Sequence, residues 1–327
     1  MKKALALLCF NRPTYFQLCW PSIICQQIKG KPIQECYDIF VFQDGLGDEN
    51  RETNRTPHGR VCELIGRLPS DIKIISQATN LGIAMHFDFV EKFLFVEHDY
   101  DFVTFCEDDL ILAPGYMSAI DLMYDKFRDD PRIGMISAHP SHPGIALGTQ
   151  RLNKHRYARM GHNWGFGVFR EFWKKRQSFV ESYLELVKHR PYRERSNAEI
   201  CRWLELVGFK GEGSSQDYIK QCATCALGGV RISTFANFGL PIGRSGQHCT
   251  PDLFKSMGLD QVVVFNDELS HLNDLDQQKY FKIHKGDRDQ ILLHPQPLTL
   301  DNMVDDQQHW LAKFTSGELH PATLLTR

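Results

Sequence analysis

The amino-acid sequence predicts an α/β fold, a mostly parallel central sheet with helices on both faces, followed by a less regular C-terminal extension. Three observations carry that expectation. Short β-favouring apolar runs alternate with amphipathic stretches through the first half, the rhythm of β-α-β units and a parallel sheet. Polar tripeptides rich in Asn, Asp, Gly and Pro follow the strand-like runs, and ligands of such sheets bind beyond the carboxyl ends of the strands. One of those ends carries three consecutive carboxylates, Glu107-Asp108-Asp109.

The elements follow in order. Residues 4–10 read as the first strand. With Met1-Lys2-Lys3 ahead of it, this run superficially copies a secretory signal, but it is short and passes into Asn11-Arg12-Pro13 without a small-residue cleavage site. Residues 15–27 have a helical pattern, 38–43 form a second strand and 60–68 a helix. Residues 73–76 give a third strand, 82–96 a helix and 102–106 a fourth strand. Asn11-Arg12-Pro13, Gln43-Asp44-Gly45, Asn80-Leu81-Gly82 and Glu107-Asp108-Asp109 therefore stand at or just beyond four strand ends and are expected on one rim. Each tripeptide alone is also ordinary turn chemistry. Their coincidence favours a site.

The second half begins with a helix over 116–128 and a strand over 133–137, followed by a polar loop at 138–160 of the length usually reserved for functional or mobile segments. Trp164-Gly165-Phe166-Gly167-Val168-Phe169 places glycines and aromatics together, so backbone can approach a ligand while flat rings face it; a bulged buried strand fits the same residues. Helices are expected over 171–187, 198–207 and 216–225, with the turn Gly211-Glu212-Gly213-Ser214-Ser215 before the last, and a strand over 229–234. From about residue 251 onward no periodic signal is strong enough to define a domain, which leaves 251–327 as the extension.

With 327 residues, 42% hydrophobic and 24% charged, the chain is an ordinary globular protein, and its net charge of −2 supplies no basic excess to hold nucleic acid. No segment approaches the ~20 apolar residues of a membrane span, so a cytoplasmic setting is expected, with peripheral membrane association compatible. The ten cysteines lack paired metal-finger spacing and read as reduced thiols; Cys222-Ala223-Thr224-Cys225 is a lone C-x-x-C that helix packing explains equally well. The basic run Arg151, Lys154, His155, Arg156 and Arg159 would suit a diphosphate clamp, and Arg190, Arg193 and Arg195 an anionic acceptor, although solvated surface charge accounts for both.

Three anions crowded at a strand end repel one another and need a compensating cation. Their oxygen donors select a hard ion, Mn²⁺ or Mg²⁺, of the kind that bridges carboxylates to substrate phosphates. The plain alternative is a solvated acidic turn before the helix that follows Pro114.

As an ordered series, Phe10-Asn11-Arg12-Pro13, Phe42-Gln43-Asp44-Gly45, Asn80-Leu81-Gly82-Ile83-Ala84, Glu107-Asp108-Asp109, Asn163-Trp164-Gly165-Phe166-Gly167 and Gln216-Asp217 resemble the GT-A glycosyltransferases. These are nucleotide-sugar-dependent enzymes on a Rossmann-like sheet; the look is nearest to N-acetylglucosaminyltransferase I and looser to bacterial family 2 enzymes. The resemblance spans roughly residues 1–250, with 1–137 as the nucleotide-sugar half and 138–250 as the acceptor and catalytic half. It implies Arg12 at the diphosphate or base, with Asn11 beside it. Asp44 falls at the uracil or ribose, and Asn80 on the same nucleotide-sugar site. Asp109 is implied as metal ligand, Asp108 at ribose or a metal-bound water, Glu107 towards the donor sugar with Trp164 and Gly165, and His248 as a late metal ligand. Golgi relatives carry an N-terminal membrane anchor, and none is expected here, which favours a bacterial-type or other cytosolic setting.

The resemblance further implies an inverting transfer from a nucleotide sugar, of the UDP-GlcNAc type, to a hydroxyl on a glycan, lipid-linked or protein acceptor, making the chain a hexosyl- or N-acetylhexosaminyltransferase. Asp217 would be the general base, with Glu212 as substitute; Asp217 also fits the first turn of a capped helix. A sugar nucleotidyltransferase would use a similar sheet but needs a glycine-rich triphosphate loop, which Asn11-Arg12-Pro13-Thr14 is not. A catalytically silent glycosyltransferase-like binding domain is the third reading.

Overall fold

The computed structural model describes residues 1–265, apart from 48–50, 142–143, 189, 191–193, 208, 210–212 and 247–248, together with the strands at 279–282 and 296–298. The chain opens with β1 (Lys3–Cys9), α1 (Pro13–Ile24), the small hairpin β2 (Gln27–Ile28) and β3 (Lys31–Pro32), and β4 (Asp38–Gln43). It continues through α2 (Arg51–Ile65), β5 (Lys73–Ser76), α3 (Gly82–Lys92), β6 (Phe102–Glu107), β7 (Leu110–Leu112), α4 (Tyr116–Phe127) and β8 (Ile133–Ser137). Next come α5 (Leu147–Asn153), β9 (Arg156–Arg159), β10 (Gly165–Phe169), α6 (Arg170–Val187), α7 (Asn197–Leu206) and α8 (Gln216–Ala226). The described elements close with β11 (Val230–Thr234), β12 (Gly239–Pro241), α9 (Pro251–Ser256), β13 (Lys279–Lys282) and β14 (Gln296–Leu298).

The central sheet is mostly parallel with helices around it, as the sequence predicts, in the order β14-β13-β9-β11-β8-β10-β6-β1-β4-β5. β1 lies between β4 and β6, parallel to both, and β5 continues parallel on β4. β10 runs antiparallel between β6 and β8. Both faces of the central strands are covered. Leu5, Leu7, Ile39, Val41, Phe102 and Cys106 enter one core, while Ala4, Ala6, Phe40, Phe42, Val103 and Phe105 enter the other. That is why these strands read as continuous apolar runs rather than as alternating ones.

Two expectations need correction. The presumed loop at 138–160 contains a helix and a strand, α5 and β9; Tyr157 and Ala158 are both buried, so the four-residue strand shows no alternation to read. The helix expected at 60–68 begins at Arg51. Pro57 and Gly59 mask its start, yet buried Val61 and Ile65 anchor it on the core. Among the described residues no helix is long and apolar enough to cross a membrane. Cys222 packs among buried side chains of α6, α7 and α8.

A charged cluster lies inside this fold. Glu91 on α3, Arg176 on α6 and Lys220 on α8 are all buried. Arg176 Nη2 and Lys220 Nζ each donate to Glu91 Oε1 at 2.7 Å, and Trp173 Nε1 donates to Oε2 at 3.0 Å. Lys220 Nζ also stands 4.4 Å from the centre of the Phe87 ring, a favourable cation–π placement. Burial works against the Glu91 carboxylate, but Lys220 and Arg176 prevail and hold it below its ordinary value of 4.5. A carboxylate with a depressed folded-state pKa contributes stability that is complete above the unfolded value and is lost as pH falls through the folded one. Removing the anion would strand two buried cations. Glu91→Gln is expected to cost about 3–5 kcal/mol in chemical denaturation at neutral pH, with stability less sensitive to acid than the parent's; a cost below about 1 kcal/mol would refute the assignment.

Candidate functional site

Because β1, β4, β5 and β6 are parallel, their carboxyl ends lie on one edge, with Cys9 beside Gln43, Gln43 beside Ser76 and Leu8 beside Glu107. The antiparallel β10 begins at that same edge, where Gly165 pairs with Cys106. The rim therefore gathers Asn11, Arg12, Asp44, Glu107, Asp108, Asp109, Trp164 and Gly165 from the ends of four strands.

At its centre Arg12 forks onto the acidic triplet. Nη1 donates to Asp109 Oδ2 at 2.6 Å and Nη2 to Asp108 Oδ1, while the guanidinium lies 5.3 Å from the Tyr15 ring centre. The remaining oxygens, Asp108 Oδ2 and Asp109 Oδ1, are buried without a hydrogen-bond partner. Such oxygens are costly unless something cationic satisfies them. Burial, assisted by Asp109 and opposed by Arg12, pushes the Asp108 carboxyl up to about 6. Cys19 Sγ donates to the Asp108 carbonyl at 2.9 Å and holds the backbone of the triplet.

A loop closes over this centre. β12 pairs with β7, and the Ile242 N–H donates to the Asp109 carbonyl at 2.8 Å. That brings Gly243 so close that a Cβ there would stand 2.5 Å from Asp109 Oδ2, and one at Gly246 would stand 3.7 Å from Arg12 Nη1. The Ser245 N–H donates to Tyr15 Oη at 3.2 Å. Among the described residues no three His, Cys, Asp or Glu side chains form a metal cluster. The two partnerless carboxylate oxygens are hard donors of the kind a Mn²⁺ or Mg²⁺ ion takes, so Asp108 and Asp109 fit one. His248 lies outside the described residues, as does Glu212.

Glu107, Trp164 and Asp217 form a second group on the rim. The Glu107 N–H donates to the Trp164 carbonyl at 2.9 Å. Burial, then Asp109 and Asp217, push the Glu107 carboxyl well above the ordinary glutamate range, which places Asp217 within electrostatic reach of it. Trp164 stacks on His162 with ring centres 4.4 Å apart. The Gly165 carbonyl accepts from Tyr116 Oη and Ser137 Oγ, each at 2.7 Å, and a Cβ at Gly165 would meet Tyr116 Oη at 2.5 Å. Only glycine leaves room for that contact.

Asp217 sits in the first turn of α8. Its Oδ1 accepts from Asn163 Nδ2 at 3.2 Å and from its neighbour Gln216. Asn163 is itself held from behind, because Arg231 Nη2 donates to its Oδ1 at 2.6 Å. Burial raises the Asp217 carboxyl above its ordinary range against the pull of Lys220 and Arg231. Sequence reasoning quotes Asn163 without a role and overlooks Arg231. The available signal was a charged residue inside the apolar strand Val230–Thr234, since a buried arginine demands acceptors.

The Asp44 corner is more committed internally. Asp44 Oδ1 accepts from the N–H groups of Gly45 at 2.9 Å and Leu81 at 2.8 Å, and Oδ2 accepts from Gly82 N–H at 2.9 Å and Asn80 Nδ2 at 3.1 Å. The carboxylate thus clamps the start of α3 to the end of β4. Asn80 is exposed and also donates to the Gly45 carbonyl at 2.9 Å. Asn11 Nδ2 donates to Asn54 Oδ1 at 2.7 Å. Arg195 reaches the same corner, with Nη2 3.5 Å from where a Gly82 Cβ would be.

No family model and no curated protein matches this chain. Among solved structures it is similar to S. aureus TarS, at 13% identity and a TM-score of 0.34 over 54% of this chain. It is also similar to GalNAc-T7 with UDP, GalNAc and Mn²⁺, at 11% identity and a TM-score of 0.36 over 54% of this chain. Mouse xyloside xylosyltransferase 1 gives 12% identity and a TM-score of 0.31 over 60% of this chain and 78% of its own. The chain spans 30% of TarS and 36% of GalNAc-T7. Likenesses this distant leave the function to be argued from the chain's own residues.

The Asp44 clamp is testable by itself. Asp44→Asn replaces one acceptor oxygen with a donor facing N–H groups, and is expected to cost about 1–2 kcal/mol, the scale of a lost helix cap. Amide exchange at Leu81 and Gly82 should speed up together; unchanged protection at both would contradict the clamp.

Proposed function

We propose that the chain is a metal-dependent, inverting glycosyltransferase that moves a sugar from a nucleotide sugar, of the UDP-GlcNAc type, to an acceptor hydroxyl. The observation that carries this reading is the rim itself. An arginine-bridged carboxylate pair with two unsatisfied buried oxygens lies beside Glu107, whose carboxyl is pushed up in part by the charge of Asp217. A diphosphate-cation station next to a sugar and base station is the arrangement a nucleotide-sugar transferase requires.

The roles follow from position. Asn11, Asp44 and Asn80 border the nucleoside side, Asp44 chiefly by fixing the Asn80 turn. Arg12 offers a planar fork to the diphosphate. Asp109 and Asp108 would hold Mn²⁺ or Mg²⁺, with His248 as a further candidate, and the ion would neutralise charge growing on the departing diphosphate. Trp164 and Gly165 line the sugar side, where Glu107 can bond a sugar hydroxyl. Asp217 accepts the proton of the acceptor hydroxyl as its oxygen bonds the anomeric carbon and the bond from that carbon to the diphosphate oxygen breaks. Asn163 and Arg231 keep the receiving carboxylate aimed. The acceptor would be a glycan, a lipid-linked sugar or a protein side chain.

Incubation with Mn²⁺ and a panel of nucleotide sugars, reading binding and slow donor hydrolysis, tests the proposal. Binding of a UDP sugar with metal-dependent hydrolysis is expected; no donor bound with or without metal would sink it, and pyrophosphate release from a nucleoside triphosphate and sugar phosphate would point to a nucleotidyltransferase instead. Asp109→Ala should abolish metal-dependent donor binding. Asp217→Asn should leave binding within a fewfold while turnover falls by about 10²- to 10⁴-fold, and equal loss of binding in both variants would contradict the division of roles. A base must be ionised to work, so a raised Asp217 pKa predicts that kcat/KM declines on the acid side at a pH above the ordinary aspartate value of 3.8. A pH–rate profile with no such limb down to that value would count against Asp217 as the base.

A further inference from the structure

Arg12 does something the role of a diphosphate contact does not require. Its two terminal nitrogens are both engaged by the acidic triplet, one by Asp108 and one by Asp109 at 2.6 Å. Asp108 is 1% exposed and Asp109 12%, whereas the Arg12 side chain is 27% exposed. The guanidinium therefore satisfies the inner carboxylates while the side chain keeps part of its surface exposed. Gly246 stands beside Nη1, where a Cβ would lie 3.7 Å away, and the Tyr15 ring flanks the guanidinium.

Electrostatics makes this placement consequential. Two neighbouring buried carboxylates need a counter-cation even with nothing bound, and Arg12 is that cation. A divalent ion approaching the partnerless Asp108 Oδ2 and Asp109 Oδ1 meets a positive charge already bonded to the partner oxygens of the same carboxylates. Like charges at such distances repel strongly outside bulk water. A diphosphate is a competing acceptor for the same planar fork. An Arg12 drawn outward to it would release both carboxylates to the metal at the moment the diphosphate supplies further oxygen donors.

We propose that Arg12 is an internal counter-cation for Asp108 and Asp109 and that a nucleoside diphosphate draws it away, so that divalent metal binds weakly to the free protein and tightly with the nucleotide. This rests on the donor reading given under the proposed function. The coupling is reciprocal, since each ligand must raise the other's affinity by the same factor.

The test titrates Mn²⁺ into the full chain by electron paramagnetic resonance, alone and with saturating UDP or UMP, for the parent, Arg12→Met and Arg12→Lys, with thermal unfolding as the folding control. In the parent, UDP should tighten Mn²⁺ at least about tenfold and UMP much less, an effect of about 1.4 kcal/mol. Arg12→Met should bind Mn²⁺ alone at least about tenfold more tightly than the parent, with a smaller UDP enhancement, and Arg12→Lys should fall between them. Should Arg12→Met fail to fold, the gain in Arg12→Lys decides. Mn²⁺ affinity unchanged or weakened in the folded variants, or Mn²⁺ binding to none of the proteins, overturns the proposal. If UDP binds none of them while the variants still gain Mn²⁺, the counter-cation stands and the donor reading fails.

Discussion

Everything at the rim depends on one constraint, the burial of β1 between β4 and β6 with helices on both sheet faces. A strand enclosed in this way carries few polar side chains along its length, because a lone buried polar group costs on the order of 1–3 kcal/mol. Ala4 to Leu8 accordingly carry no polar side chain, and between their ends β4 and β6 are apolar except for the buried Thr104. Charge is confined to the strand ends. With β1, β4, β5 and β6 all parallel, those ends share one edge, so Arg12, Asp44 and Glu107-Asp108-Asp109 meet there as a consequence of sheet topology.

That edge has an excess of acid to manage, and it uses two separate devices. Asp44 is neutralised by dipoles: four N–H donors from the β4 end and the α3 start, the favourable placement of an anion at a helix N-terminus. Asp108 and Asp109 are neutralised by a whole charge, Arg12, and even so keep two unsatisfied oxygens. A carboxylate held by three backbone N–H groups and an amide side chain is fixed in one geometry, whereas Asp108 and Asp109 depend on a single arginine side chain.

The sequence makes the sheet legible for the same reason it makes the rim legible. Apolar runs at 4–10, 38–43 and 102–106 are long enough to identify buried strands, and the polar tripeptides after them are conspicuous by contrast. What stays hidden are elements whose signal is shorter than their structure. β9 has four residues with both central ones buried, and α2 starts behind Pro57 and Gly59. Partners separated along the chain are hidden too. Nothing local links Arg231 to Asn163, 68 residues apart, or Glu91 to Lys220, 129 residues apart; an amphipathic pattern cannot distinguish a buried glutamate with two cations from a solvated one. Asp44 illustrates a third limit, because the same strand-end acid suits a ligand contact and a helix clamp, and only its four donors reveal the clamp.

Asp217 is the rim residue that topology alone does not explain, since it comes from a helix rather than from a strand end. Two supports bring it there. Lys220 stands three residues further along α8, on the same face as Asp217, and its ammonium is locked into the buried Glu91–Arg176 cluster, which fixes the rotation of the helix. From the sheet side, Arg231 on β11 holds Asn163, which holds the Asp217 carboxylate. These supports are built from different elements and meet only at Asp217. A carboxylate that was merely capping α8 would need neither, because backbone donors in its own first turn would suffice. The double support fixes the position of the Asp217 carboxylate, and it links the interior ion cluster to the rim through a single turn of helix.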